Sequence, residues 1–164
     1  MITRKFYPLI IALFVSLFFT HQSFAGQNSQ AKVLNNFEKL ISDHQGKIIY
    51  LDFWASWCGP CRKSFPWLND MQEKYQQHGL VVISVNVDND KALAEEFLAQ
   101  VPAKFKVFYD PKGQVARKFK LKGMPSSYII DRSGKVVSTH VGFSDSKKPE
   151  YEKALLQLLS SKEP

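Results

Sequence analysis

The stretch FWASWCGPCRKSFP, Phe53 to Pro66, holds both cysteines of the 164-residue chain. Cys58 and Cys61 stand two residues apart behind two tryptophans. Such a pair serves as a covalent staple, as part of a metal site, or as a redox couple. As a staple it does little, because closing so short a loop removes far less chain entropy than the ~3 kcal/mol associated with a 15-residue loop. A structural zinc site wants four ligands in paired spacings. The chain has no second cysteine pair, and His44, His78 and His140 are isolated from one another. A redox couple needs a strand feeding a helix whose first turn carries the two sulfurs, and the flanking sequence predicts that layout.

KIIYLDF, Lys47 to Phe53, is a short run of β-branched and aromatic residues suited to a strand buried on both faces. Cys58 follows on its carboxyl side, Pro60 suits a first helical turn, and Arg62 to Gln77 continues as a helix with Phe65, Leu68, Met71 and Tyr75 inward and a kink expected at Pro66. At the helix N-terminus, unpaired N–H groups and the positive dipole end favour a thiolate, which makes Cys58 the expected nucleophile. Cys61, one turn further in, is expected to be shielded and to need a base before attacking a mixed disulfide. Asp52 is the one carboxylate in this apolar strand. It either ends the strand facing water or is buried, with a pKa raised towards neutrality and fit for proton transfer.

Outward from this segment, strand candidates at Leu80 to Val87, Lys106 to Tyr109, Ser127 to Ile130 and Lys135 to Val141 alternate with helical patterns. The helices are expected at Gln30 to His44, Lys91 to Gln100, Gln114 to Lys120 and Pro149 to Leu159, the last burying Tyr151, Leu155, Leu156 and Leu159. Asp88 to Asp90 reads as a loop and helix cap, and Asp131-Arg132-Ser133-Gly134 as a hairpin turn. The fold class is therefore α/β, a mixed central sheet with helices on both faces.

The first 25 residues read differently. Arg4 and Lys5 precede the apolar run FYPLIIALFVSLFF, Phe6 to Phe19, and Ser23-Phe24-Ala25 offers a cleavage pattern. We expect a signal peptide over residues 1–25 and one domain over 26–164; an uncleaved anchor is the alternative, although the run is short of the ~20 residues that cross a bilayer. The net charge of +7 is scattered, without the basic patch and interleaved aromatics of a nucleic-acid binder.

DFWASWCGPC, Asp52 to Cys61, resembles the active-site segment of thioredoxins. Together with GMPSSYIIDRSGKVVSTHVGF, Gly123 to Phe143, the leader and the extra segment between strands, it is similar to the TlpA/ResA-like branch of that superfamily, whose members are extracytoplasmic thiol-disulfide oxidoreductases. The resemblance implies a thioredoxin-like fold, a redox-active Cys58–Cys61 disulfide in place of any cofactor or metal, and Asp52 as proton acceptor for Cys61. It further implies that Trp57, Gly59, Pro60, Met124 and the cis-proline Pro125 form the substrate-contacting surface. A periplasmic protein is implied, touching a membrane only through an uncleaved leader. Its partners would be disulfide-containing exported proteins and a membrane thiol reductant of the DsbD or CcdA type. The Gly59-Pro60 dipeptide resembles that of reductants. Donation of the disulfide to exported chains and Cu(I) binding through Cys58, Cys61 and Met124 are the alternatives. Two positions depart from the relatives: Ser64 stands where ResA-like reductases carry a glutamate, and Ser84 where thioredoxins carry a lysine.

Overall fold

Residue by residue, Ile48 to Trp54 (β1) is buried, as a strand in the middle of a sheet must be. In the computed structural model, which describes residues 31–161, β1 pairs parallel with Leu80–Asn86 (β2) and antiparallel with Ser126–Ile130 (β4). Lys106–Tyr109 (β3) adds parallel to β2, and Val136–Val141 (β5) adds antiparallel to β4. The strand order is β3-β2-β1-β4-β5. The expected signal peptide lies outside the described residues. None of the described helices is long and apolar enough to cross a membrane.

The two-residue alternation of β1 sorts its side chains between two cores. Ile49, Leu51 and Phe53 pack with Phe37 of the helix at 31–42 (α1) and with Val115 of Gln114–Lys118 (α4). Ile48, Tyr50 and Trp54 face the other way, into a cluster with Phe65 and Leu68 of Gly59–Tyr75 (α2), Ala94 and Phe97 of Lys91–Gln100 (α3), and Tyr151 and Leu155 of Lys148–Ser160 (α5). Cys58 and Cys61 belong to this second cluster. Asp52 has the parity of Tyr50 and Trp54, so it lies on the cysteine side of the sheet. Trp54, Phe65 and Trp67 are all buried. Trp54 is wedged between Phe65 and Phe97 with ring centroids 4.8 and 4.7 Å away.

The end of one helix and the inward face of another differ from expectation. The helix α4 ends at Lys118 rather than Lys120, because Lys120 takes a left-handed φ of 52°. Its N–H bonds Arg117 O and the Leu121 N–H bonds Ala116 O, which closes the helix in a Schellman arrangement with a lysine where glycine is usual. Leu156, expected to be buried, is 41% exposed. The inward stripe of α5 runs through Tyr151 and Leu155, with Leu158 and Leu159 half-buried beside it, and Leu156 is turned about 100° away from Leu155 around the axis. The helix α2 continues through Pro66 to Tyr75.

Candidate active site

Cys58 is the N-cap of α2, in an extended conformation (φ −86°, ψ 101°), and its Sγ accepts the Cys61 backbone N–H at 3.2 Å. A free N-terminal donor thus rests on the sulfur where a thiolate would form. No acidic residue occupies the first turn of the helix to oppose that charge. The two sulfurs are joined at 2.00 Å, with Cα atoms 5.3 Å apart. Exposure ranks them: Cys58 retains 4% and Cys61 none. Around them Trp57 is 69% exposed, and Gly59 and Pro60 also face solvent. Any incoming disulfide therefore meets Cys58 first.

The loop that presents Cys58 is tied down by Asp88, buried beyond the end of β2. Its Oδ2 accepts the Ser56 N–H at 2.8 Å and its Oδ1 accepts the Ser56 hydroxyl at 2.9 Å. Asn86 locks the carboxylate in turn, donating from Nδ2 at 2.7 Å and accepting the Asp88 N–H on Oδ1 at 3.1 Å. The Cys58 N–H closes the turn onto Ala55 O at 3.1 Å. Sequence reading placed Asp88 in a loop with Asp90. Only Asp90 caps α3, through the Ala92 N–H, while Asp88 positions the active-site turn. The sole signal in the sequence was a second acidic residue directly after an apolar strand.

The two departures from the relatives now have locations. Ser64 is buried and donates to Cys61 O at 3.0 Å, so its side chain points back into the helix turn. Ser84 lies opposite Asp52 in the β1–β2 register and accepts the Trp54 indole N–H at 3.1 Å. Asp52 is 2% exposed, and its Oδ2 has no hydrogen-bond partner. Burial alone therefore pushes its pKa well above the carboxylate range. Asp52 is therefore buried and does not end the strand facing water. The phenol of Tyr50, two residues earlier on the same face, is pushed up as well, first by burial and then by the Asp52 charge.

On the neighbouring strand, the Met124–Pro125 bond is cis. Pro125 O accepts the Gly142 N–H at 2.8 Å and Ser126 Oγ donates to Gly123 O at 2.7 Å, which fixes the loop before β4. A Cβ on Gly123 would come within 3.2 Å of Val141 Cγ1, so the loop and β5 meet closely there. Met124 is half-buried and packs against the cluster that contains the cysteine pair. Asp52 thus shares the cysteine face of the sheet by strand parity, and Met124 packs against both cores. His140 is half-buried on β5.

Known proteins resemble this chain in sequence and fold. Residues 29–155 match the Redoxin family. The chain is 30% identical to the thiol-disulfide oxidoreductase ResA of Bacillus thuringiensis subsp. konkukian, over 72% of this chain and 67% of that one. It is 32% identical to ResA of Geobacillus thermodenitrificans, over 73% and 71%. Among solved structures it resembles a thiol:disulfide interchange protein DsbE from Chlorobium tepidum, with 55% identity, a TM-score of 0.72, and coverage of 73% of this chain and 84% of that one. It also resembles the exposed lipoprotein thioredoxin Etrx1 of Streptococcus pneumoniae, with 31% identity, a TM-score of 0.63 and coverage of 72% and 90%. With a cysteine pair at disulfide distance on a helix N-terminus, the chain belongs to the Redoxin family as a thiol-disulfide oxidoreductase of the ResA type.

Proposed function

We propose that the protein is a reductase of exported proteins. Cys58 attacks a substrate disulfide, Cys61 resolves the mixed disulfide, and Asp52 takes the Cys61 proton. Trp57, Gly59, Pro60, Met124 and Pro125 form the surface that the substrate chain lies against. The observation that carries the direction of exchange is Asp52, buried on the cysteine face of the sheet without a countercharge. Strong oxidants owe their potential to a stabilised reduced form. Here Cys58 receives one backbone N–H, and an uncompensated carboxyl on the same face opposes further negative charge, so the reduced thiolate gains little.

Export is supported by the basic start and apolar run of residues 4–19, and by the naming of Etrx1 as an exposed lipoprotein. A periplasmic reductase whose only two cysteines become oxidised in each cycle needs an outside donor, and a membrane thiol reductant of the DsbD or CcdA type fits. Acid quenching of cells followed by thiol alkylation reads the state of the pair directly. The Cys58–Cys61 pair is expected to be mostly reduced in growing cells and to become oxidised when the membrane donor is removed. A pair that is oxidised in both backgrounds would assign the protein to disulfide donation instead.

A further inference from the structure

Among the described residues, three buried side-chain polar atoms lack a hydrogen-bond partner: Asp52 Oδ2, His140 Nδ1 and Gln114 Oε1. The first two belong to one row across the sheet. Asp52 of β1 stands opposite Ser127 of β4, and Ser127 stands opposite His140 of β5. Directly opposed residues share a face, so all three side chains project on the side of the cysteine pair.

The row has the hydrogen-bond capacity to carry a proton. Tyr50 donates its hydroxyl to Ser127 Oγ at 2.9 Å, which occupies one lone pair and leaves Ser127 its own proton and a second lone pair. His140 Nε2 lies 3.2 Å from Ser138 Oγ. With the ring proton assigned to Nε2, Ser138 accepts it and Nδ1 is left as a buried acceptor. The ring is stacked on Tyr151 of α5 at 4.1 Å and is half-buried, so it links the interior to the surface. The Tyr151 hydroxyl does not compete, since it donates to Gly142 O at 2.9 Å. The charged groups that act on the ring are Glu150 on α5 and Lys147 in the turn before it, which oppose each other. On the other side of Asp52 the row ends at Ser84, whose oxygen is engaged by Trp54. Opposed Cβ atoms lie about 4.5–5.5 Å apart, a gap that a hydroxyl rotation or one water bridges.

We propose that Asp52, sealed from solvent, exchanges its proton with water along this row, through the Ser127 hydroxyl and the His140 ring. Outward, the Asp52 O–H bond breaks as Ser127 Oγ gains that proton; Ser127 passes its own hydroxyl proton to His140 Nδ1; and the ring releases its Nε2 proton to water. No electrons move; Asp52 is left as carboxylate, Ser127 keeps a hydroxyl, and the neutral ring holds its proton on Nδ1 until exchange with water returns it to the Nε2–H form. Ser127 and His140 are positioning residues that act through Asp52. The proposal rests on Asp52 being the proton acceptor for Cys61.

Reduced protein mixed with dithiobis(nitrobenzoate) separates the steps, because the first coloured thiolate reports attack by Cys58 and the second reports resolution by Cys61. The comparison is made at acidic pH, where the raised Asp52 pKa favours the protonated carboxyl, and in dilute buffer. There His140→Gln is expected to keep the first phase and slow the second about tenfold. Added imidazole restores it, and Ser127→Thr keeps the rate that Ser127→Ala loses. A His140→Gln second phase at the wild-type rate, or slowed without any response to imidazole, overturns the row. If Asp52→Asn also leaves the second phase unchanged, Asp52 itself is not the acceptor; if Asp52→Asn slows it while His140→Gln does not, only the exit route falls.

Discussion

Asp52→Asn is expected to slow resolution by Cys61 about thirtyfold at pH 7, and to leave the attack by Cys58 nearly unchanged. A free cysteine with a pKa near 8.5 is only ~3% thiolate at pH 7, so a base that ionises it fully gains about thirtyfold before burial is counted. Cys61 has no exposure of its own, which makes it more dependent on an internal base than a surface thiol would be. The deficit should shrink as pH rises towards the ordinary thiol range, where Cys61 ionises without help.

The same substitution changes stability with a definite sign. The Asp52 pKa is raised in the folded state, so between about pH 3.9 and that raised value the folded protein keeps a proton that the unfolded chain has lost. Stability from this group is therefore fully present at the acidic end and is lost as pH rises through the folded pKa, by about 1.4 kcal/mol for each unit of the window. Denaturant titrations of the oxidised protein should show this fall in the wild type and a flatter profile in Asp52→Asn. Parallel profiles would mean that the carboxyl is not desolvated as its burial implies. Slopes are the right comparison, because a buried asparagine amide carries a desolvation cost of its own.

In Cys61→Ser, Cys58 is expected to accumulate mixed disulfides with its substrates, whereas Cys58→Ser accumulates none. The N-terminal donor on Cys58 Sγ is the backbone N–H of residue 61, which the serine retains, so the nucleophile keeps its environment. What is lost is the sulfur that resolves the intermediate. Adducts are read as mass-shifted species that collapse on treatment with dithiothreitol. Trapping by Cys58→Ser and not by Cys61→Ser would reverse the assigned roles. That outcome would also contradict the exposure ranking, in which the outer sulfur is Cys58.

Much of this was legible along the chain because it is local. The continuous apolar character of IIYLDFW gave a central strand, and the position of Cys58 just ahead of Pro60 gave a helix N-terminus. Asp52 stood out as a charge that a buried strand does not carry without a use. What escaped was set by contacts distant in sequence. Asp88 reads as an ordinary cap until the fold brings it to Ser56, and the row Asp52–Ser127–His140 exists only once β4 and β5 have taken their register. The exposure of Leu156 was a matter of helix phase, since it is turned about 100° from Leu155 and away from the stripe that Tyr151 and Leu155 bury.

The central claim, that the pair runs in the reducing direction, is tested most directly by the reduction potential of Cys58–Cys61, measured by equilibration against glutathione and dithiothreitol buffers. With one backbone donor on Cys58 and an uncompensated Asp52 buried on the same face of the sheet, a value near thioredoxin's ~ −270 mV is predicted. A value near the ~ −120 mV of DsbA would contradict the account and make the same site a donor of disulfides.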